Sequence, residues 1–154
     1  MATRRFLVCA QCGPSPGRGK LFDVLLARAR EQPLLCSKCG ALATLRLKFA
    51  FGLNGADSEC TVRDCFVPRV LESWKERDGR DVTFYPFLVI VQRHGRELAA
   101  WLPYWHVVDR AHRPVTKYGQ WAPFMDFHLF ADLLSQARAK GHFTDGQISR
   151  TRGE

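Results

Sequence analysis

Two short cysteine turns constrain this chain before anything else does. Cys9-Ala10-Gln11-Cys12-Gly13 is answered by Cys36-Ser37-Lys38-Cys39-Gly40. Two thiolates three positions apart on a tight turn grip one side of a metal ion. A second such turn closes a tetrahedron, the arrangement of structural zinc held by four cysteines. The glycine after each pair suits a turn with positive φ, which lets backbone N–H groups point back at the sulfurs. Cys9, Cys12, Cys36 and Cys39 are therefore the expected ligands of one structural Zn2+ per chain.

This pattern resembles the zinc ribbon, a small β-rich module with two cysteine knuckles, over about residues 5–52. The resemblance implies a structural module that binds nucleic acid or another protein. Residues 21–30 read as a helical turn or two where a simple ribbon has a second strand. No family resemblance extends to residues 53–154.

At 154 residues the chain is long enough for one domain, or for a small module plus a domain. Its net charge of +8 favours polyanions such as nucleic acid. The apolar run Phe6-Leu7-Val8 is too short for a secretory signal, and no stretch reaches the length of a membrane span. Six cysteines in this pattern fit a reducing cytoplasm, with no membrane partner expected. The glycine-rich loop 13–20 fails as a nucleotide-phosphate loop: Pro14 stands where the first glycine belongs, and Leu21 where Ser or Thr would hold magnesium. Arg18 and Lys20 remain candidate phosphate contacts.

Periodicity predicts the rest in order. A short strand at 6–8 leads into the first knuckle. A helix over 21–30 carries Leu21, Val24, Leu25 and Arg28 on one stripe, and a half-buried strand over 42–53 leaves the second knuckle. Residues 54–65 read as a loop rich in chemistry, with Asp57, Glu59, Cys60, Asp64 and Cys65. Phe66, Val67, Val70, Leu71 and Trp74 fall at helical spacing, predicting a helix over 66–77 with a turn at Asp78-Gly79. A strand apolar on both faces is expected over 81–92 and its partner over 96–108, where Pro103 must lie at an edge, bulge or end. A third strand over 115–121 completes a β-meander. Asp126 caps a last helix over 127–140, with a stripe of Phe127, Phe130, Ala131, Leu134 and Ala137. The expected fold is α+β: an N-terminal zinc-ribbon-like knuckle module (1–52) merged with an antiparallel β-meander domain (53–143) flanked by two helices, followed by a disordered tail (144–154).

Residues 93–124 interleave aromatic and basic side chains, as a sheet that stacks unpaired bases does. The candidate nucleic-acid contacts are Arg18, Lys20 and Lys38 near the knuckles, and Arg93, Arg96, Arg110, Arg113, Lys117, Tyr118 and Trp121 on the meander. Trp101 and Trp105 are read as core. The five histidines are scattered, no nucleophile or metalloprotease motif is present, and a four-cysteine site has no open coordination position. The expected function is a zinc-stabilised, non-enzymatic nucleic-acid-binding protein, for DNA or RNA. The alternative is a protein–protein interaction adaptor with a structural zinc site. A third reading is a metal- or thiol-dependent enzyme using the 57–65 loop.

Overall fold

The computed structural model describes residues 4–16, 19–49, 58–93, 97–110, 113–119 and 125–143. The tail expected at 144–154 lies outside the described residues. Contacts divide the chain into two units, Met1–Cys65 with Val89–Trp101, and Phe66–Leu88 with Leu102–Glu154.

The first unit is built on a six-stranded sheet in the order β2-β1-β3-β4-β7-β8. Its strands are β1 (Arg4–Cys9), β2 (Gly13–Pro16), β3 (Ala43–Phe49), β4 (Ser58–Phe66), β7 (Leu88–Arg93) and β8 (Glu97–Trp101). β1 pairs antiparallel with β2 and β3, β3 with β4, and β7 with β8. The period-2 pattern of β3 sorts its side chains. Leu45, Leu47 and Phe49 are buried, and the row continues onto Cys60 and Val62 of β4. Arg46, Lys48, Glu59 and Arg63 fall on the opposite face. Trp101 of β8 meets Phe49 edge-on, with ring centroids 4.9 Å apart. Helix α1 (Leu21–Ala29) buries Phe22 and Leu25.

The second unit holds a four-stranded antiparallel sheet, β10-β9-β6-β5. Its strands are β5 (Glu72–Lys75), β6 (Asp81–Pro86), β9 (Tyr104–Arg110) and β10 (Arg113–Tyr118), accompanied by helix α2 (Phe127–Ala139). The Arg69 backbone N–H donates to Asp132 of α2 at 2.8 Å, and Gln136 Nε2 donates to the Val67 carbonyl at 3.0 Å. These bonds tie the helix to the segment before β5.

This architecture corrects the expected fold class. The described chain is mostly antiparallel strand in two sheets with two helices, not a knuckle module merged with a meander flanked by helices at 66–77 and 127–140. The 66–77 helix is absent. Phe66 ends β4, Val70 is exposed, and residues 72–75 pair with β6. Pro68 disfavours helical backbone at Val67, and the cross-strand partners decide the rest. The expected 54–65 loop contains β4, the partner of β3 in its sheet.

The expected long strands 81–92 and 96–108 each break in two. The first breaks between Pro86 and Leu88, the second between Trp101 and Tyr104. The halves belong to different sheets. Pro86 and Pro103 lie at the breaks, where a missing N–H does least harm, and the Phe87 N–H donates to the Pro103 carbonyl at 2.8 Å. The reading of residues 88–91 as apolar on both faces fits their burial, which is complete from Leu88 to Val91. α2 forms almost as expected but buries Leu129, Leu133 and Ala137, a row spaced by four, while Phe127 is 83% exposed. Among the described residues, no helix is long and apolar enough to cross a membrane.

Candidate metal centre

The two knuckles meet because β1 and β3 pair side by side. Cys9 ends β1, lies opposite Gly13 in the β1–β2 hairpin, and lies opposite Ala43 at the start of β3. The hairpin loop 10–12 therefore carries Cys12 back beside Cys9. The second knuckle is closed at its base by the Leu35–Leu42 bridge and by the Ala43 N–H donating to the Leu34 carbonyl at 2.8 Å. Within it, the Cys36 N–H donates to the Ala41 carbonyl at 2.8 Å, and the Gly40 N–H to the Cys36 carbonyl at 2.9 Å. Gly13 and Gly40 have φ of 70° and 73°, the left-handed backbone expected of the residue after each pair.

The Sγ atoms of Cys9, Cys12, Cys36 and Cys39 all lie within 4.8 Å of one another. Those of Cys9 and Cys39 are 3.5 Å apart. A tetrahedral ion with metal–sulfur bonds of about 2.3 Å sets its sulfurs roughly 3.8 Å apart. Cys9 and Cys36 are buried, Cys12 is half-buried and Cys39 is exposed, so the centre lies against the core on one side and opens to its surface knuckle on the other.

The electrostatics favour a cation. The backbone N–H groups of Lys38 and Cys39 donate to Cys36 Sγ and pull that thiol down to about 6. These are the amide-to-sulfur bonds that the knuckle sequence implies. The Cys12 thiol is pushed up to about 12 by its hydrogen bond with Cys39 and then by burial and Cys36. Four sulfurs this close resist carrying charge together unless a cation lies between them. The donor set is all sulfur, which selects a thiophilic metal ion. The cluster is consistent with zinc-ribbon-like knuckles.

The expected nucleic-acid contacts distribute unevenly. Lys38 is exposed inside the second knuckle, and Lys20 is exposed at the N-cap position of α1. Arg93 ends β7 opposite Glu97 and is half-buried. Arg110 and Arg113 are cross-strand partners at one end of the β9–β10 pair. Lys117 lies opposite His106, whereas Tyr118 lies opposite Trp105 and so falls on the other face of the sheet. Tyr118 is 46% exposed, and its ring lies 5.1 Å from that of Trp105. Trp105 is core, packed edge-on against Phe87 at 5.3 Å. Arg18, Arg96 and Trp121 lie outside the described residues.

Among the described residues, the 57–65 chemistry does not gather into one site. Cys60 and Cys65 point to opposite faces of β4, and five steps along the strand set them roughly 16 Å apart. Asp64 reaches toward Arg28 at 3.9 Å and Glu59 toward Arg46 at 3.9 Å. Asp57 lies outside the described residues.

Sequence reasoning missed a group gathered from two segments, β5 and the start of α2. Donor atoms of Glu72, Asp126 and His128 lie within 4.8 Å of one another. Burial and then the Asp126 carboxylate raise the Glu72 carboxyl above its ordinary value. Only the return of α2 toward β5 brings them together, so no local spacing announced it. Comparison with protein-family models, with curated proteins and with solved structures finds no match to this chain.

Proposed function

We propose that this chain is a zinc-stabilised, non-enzymatic nucleic-acid-binding protein of the cytoplasm. The observation that carries the reading is the second knuckle: a turn that contributes two sulfurs to the four-thiol cluster also presents exposed Lys38 to solvent. Zinc suits four thiolates best among the common thiophilic ions of a reducing compartment, and with four sulfurs bound it keeps no position for a reacting water. The metal then orders the backbone from which Lys38 projects. Lys20, at the start of α1, adds a second exposed cation to the same unit. A net charge of +8 supplies the long-range attraction to phosphate.

The adaptor reading is favoured by a different observation. Leu35 and Leu42 pair across the base of the second knuckle and are 54% and 73% exposed. Exposed apolar side chains beside a rigid turn suit a protein partner.

Titration of zinc-loaded protein with short single- and double-stranded DNA and RNA across a salt series separates the two. Nucleic-acid binding gives a steep fall in affinity with salt, and K20E with K38E reduces both affinity and slope. Absence of binding at low salt defeats the nucleic-acid reading and leaves the adaptor.

A further inference from the structure

One face of the second sheet carries a small pocket that neither the metal centre nor the knuckle cations use. Val82 and Val108 are cross-strand partners on β6 and β9 and form its buried floor. His106 stands beside them on β9, and Lys117 lies opposite His106 on β10. The β5–β6 hairpin supplies the remaining wall. Its turn at Asp78-Gly79, with Gly79 at φ 83°, is closed by the Glu76 N–H donating to the Arg80 carbonyl at 2.8 Å. Glu76, Arg80, Val82, His106, Val108 and Lys117 enclose about 100 Å3.

Size and lining narrow the ligand. The space is smaller than the roughly 300–1,000 Å3 of pockets for drug-sized molecules and suits one planar ring or one small ion. An anion fits poorly. Glu76 brings a carboxylate to the wall, and the guanidinium of Arg80 is already paired with Asp78 at 2.5 Å. Burial lowers the proton affinity of His106, so its ring is neutral near pH 7 and presents an aromatic surface. The apolar floor and the aromatic surroundings favour a flat heterocycle instead. Trp74 and Tyr104 approach the His106 ring edge-on at 5.5 and 5.7 Å, and Trp74, 41% exposed, shares the Val82 face.

The polar groups suit the edge of such a ring. Glu76 is an acceptor close by, already receiving the Trp74 indole N–H at 3.5 Å and with lone pairs to spare. Every nucleobase offers an adjacent acceptor and donor on its pairing edge, accessible only when the base is unpaired. Exposed Lys117 stands where the attached backbone would leave the pocket.

We propose that this pocket receives one unpaired base of a single-stranded nucleic acid, with Glu76 accepting from its pairing edge, His106 beside one of its faces over the Val82–Val108 floor, and Lys117 on a flanking phosphate. The proposal rests on the nucleic-acid reading and deepens it.

The test compares the zinc-loaded full chain on a short single strand, the same strand with abasic sites and a duplex of equal length. The phosphates are retained in the abasic strand, so only base insertion is removed. About tenfold weaker binding of the abasic strand, with an unchanged salt slope, is expected, since a stacked base contributes on this scale. H106A should erase that preference while retaining the salt slope. Equal binding of intact and abasic strands overturns the pocket proposal and leaves the nucleic-acid reading intact. Should no strand bind at low salt, the nucleic-acid reading fails. Cytidine and adenosine titrated against the His106 ring signals then decide the pocket: shifts that saturate and vanish in E76A retain it as a base site, and no shifts overturn it.

Discussion

Cys9 and Cys39, thirty positions apart in the chain, bring their sulfurs to 3.5 Å between the two knuckles. β1 delivers the first sulfur and the Leu35–Leu42 bridge positions the second, so the centre depends on sheet pairing as much as on spacing. Zinc removal should accordingly disturb more than the knuckles. The expected outcome is one zinc per folded chain, and loss of strand signal in circular dichroism on chelation or in C39S, because binding free energy in such sites is folding free energy. Undiminished strand signal after complete chelation would make the metal dispensable.

The inward row of α2 can be checked by two truncations. Leu133 is fully buried and Phe127 is 83% exposed. L133A should lower stability by about 2–5 kcal/mol, and F127A by no more than roughly 0.5 kcal/mol. Denaturant midpoints measure both, and a reversed order would restore the row containing Phe127.

Gly119 donates its N–H to the Tyr104 carbonyl at 3.0 Å, and a Cβ there would collide with the Tyr104 ring. G119A should displace that ring and cost on the order of 1–3 kcal/mol. Thermal unfolding reads the loss, and an unshifted midpoint would show that the ring yields freely.

His106 predicts a pH dependence. Burial holds its proton affinity below the ordinary value of 6.5, with Glu76 opposing and Lys117 reinforcing the shift. The unfolded chain takes this proton more readily than the folded one. The resulting stability is complete above pH 6.5 and is lost as pH falls through the lower folded value. H106Q should flatten the urea-midpoint profile just below about pH 6.5, while the carboxylates still titrate at lower pH. Parallel profiles for wild type and H106Q would contradict this.

Burial pushes the Cys65 thiol far above its ordinary range, and Asp64 adds to the shift while Arg28 opposes it. Alkylation of native, zinc-loaded protein should leave Cys65 unmodified, and mild oxidation should not bridge it to Cys60. Both cysteines should label on unfolding. Rapid native labelling at Cys65 would mean that β4 opens readily.

The cluster was legible because its information is local: two cysteines per turn and a glycine after each specify a knuckle wherever the sheet carries it. α1 and α2 were legible for the same reason, as continuous helical periodicity. Residues 66–77 misled because Phe66, Val67, Val70, Leu71 and Trp74 mimic a helical stripe, yet residues 72–75 find their hydrogen bonds on β6. β4 was hidden by its chemistry. Cys60 and Val62 point inward and Glu59 and Arg63 outward, an alternation that acids and thiols carry in place of a clear apolar–polar pattern. The sheet changes at 86–88 and 101–104 were signalled only by Pro86 and Pro103. A proline marks a break, but the destination of the following strand is fixed by partners distant in sequence.

Because Val89–Trp101 belongs to the unit that begins at Met1, and is inserted between the two segments of the other, neither unit is a contiguous stretch of chain. On the ribosome the metal-bearing sheet waits for β7 and β8, which emerge only after β5 and β6 have appeared. Its knuckles can capture an ion early, but the sheet edge at β4 remains unfinished until residues from beyond the first half of the chain arrive. The same interleaving means that a cut after residue 65 removes two strands from that sheet. A gene fusion carrying only the cysteine segment would transfer the ligands without the fold that completes them.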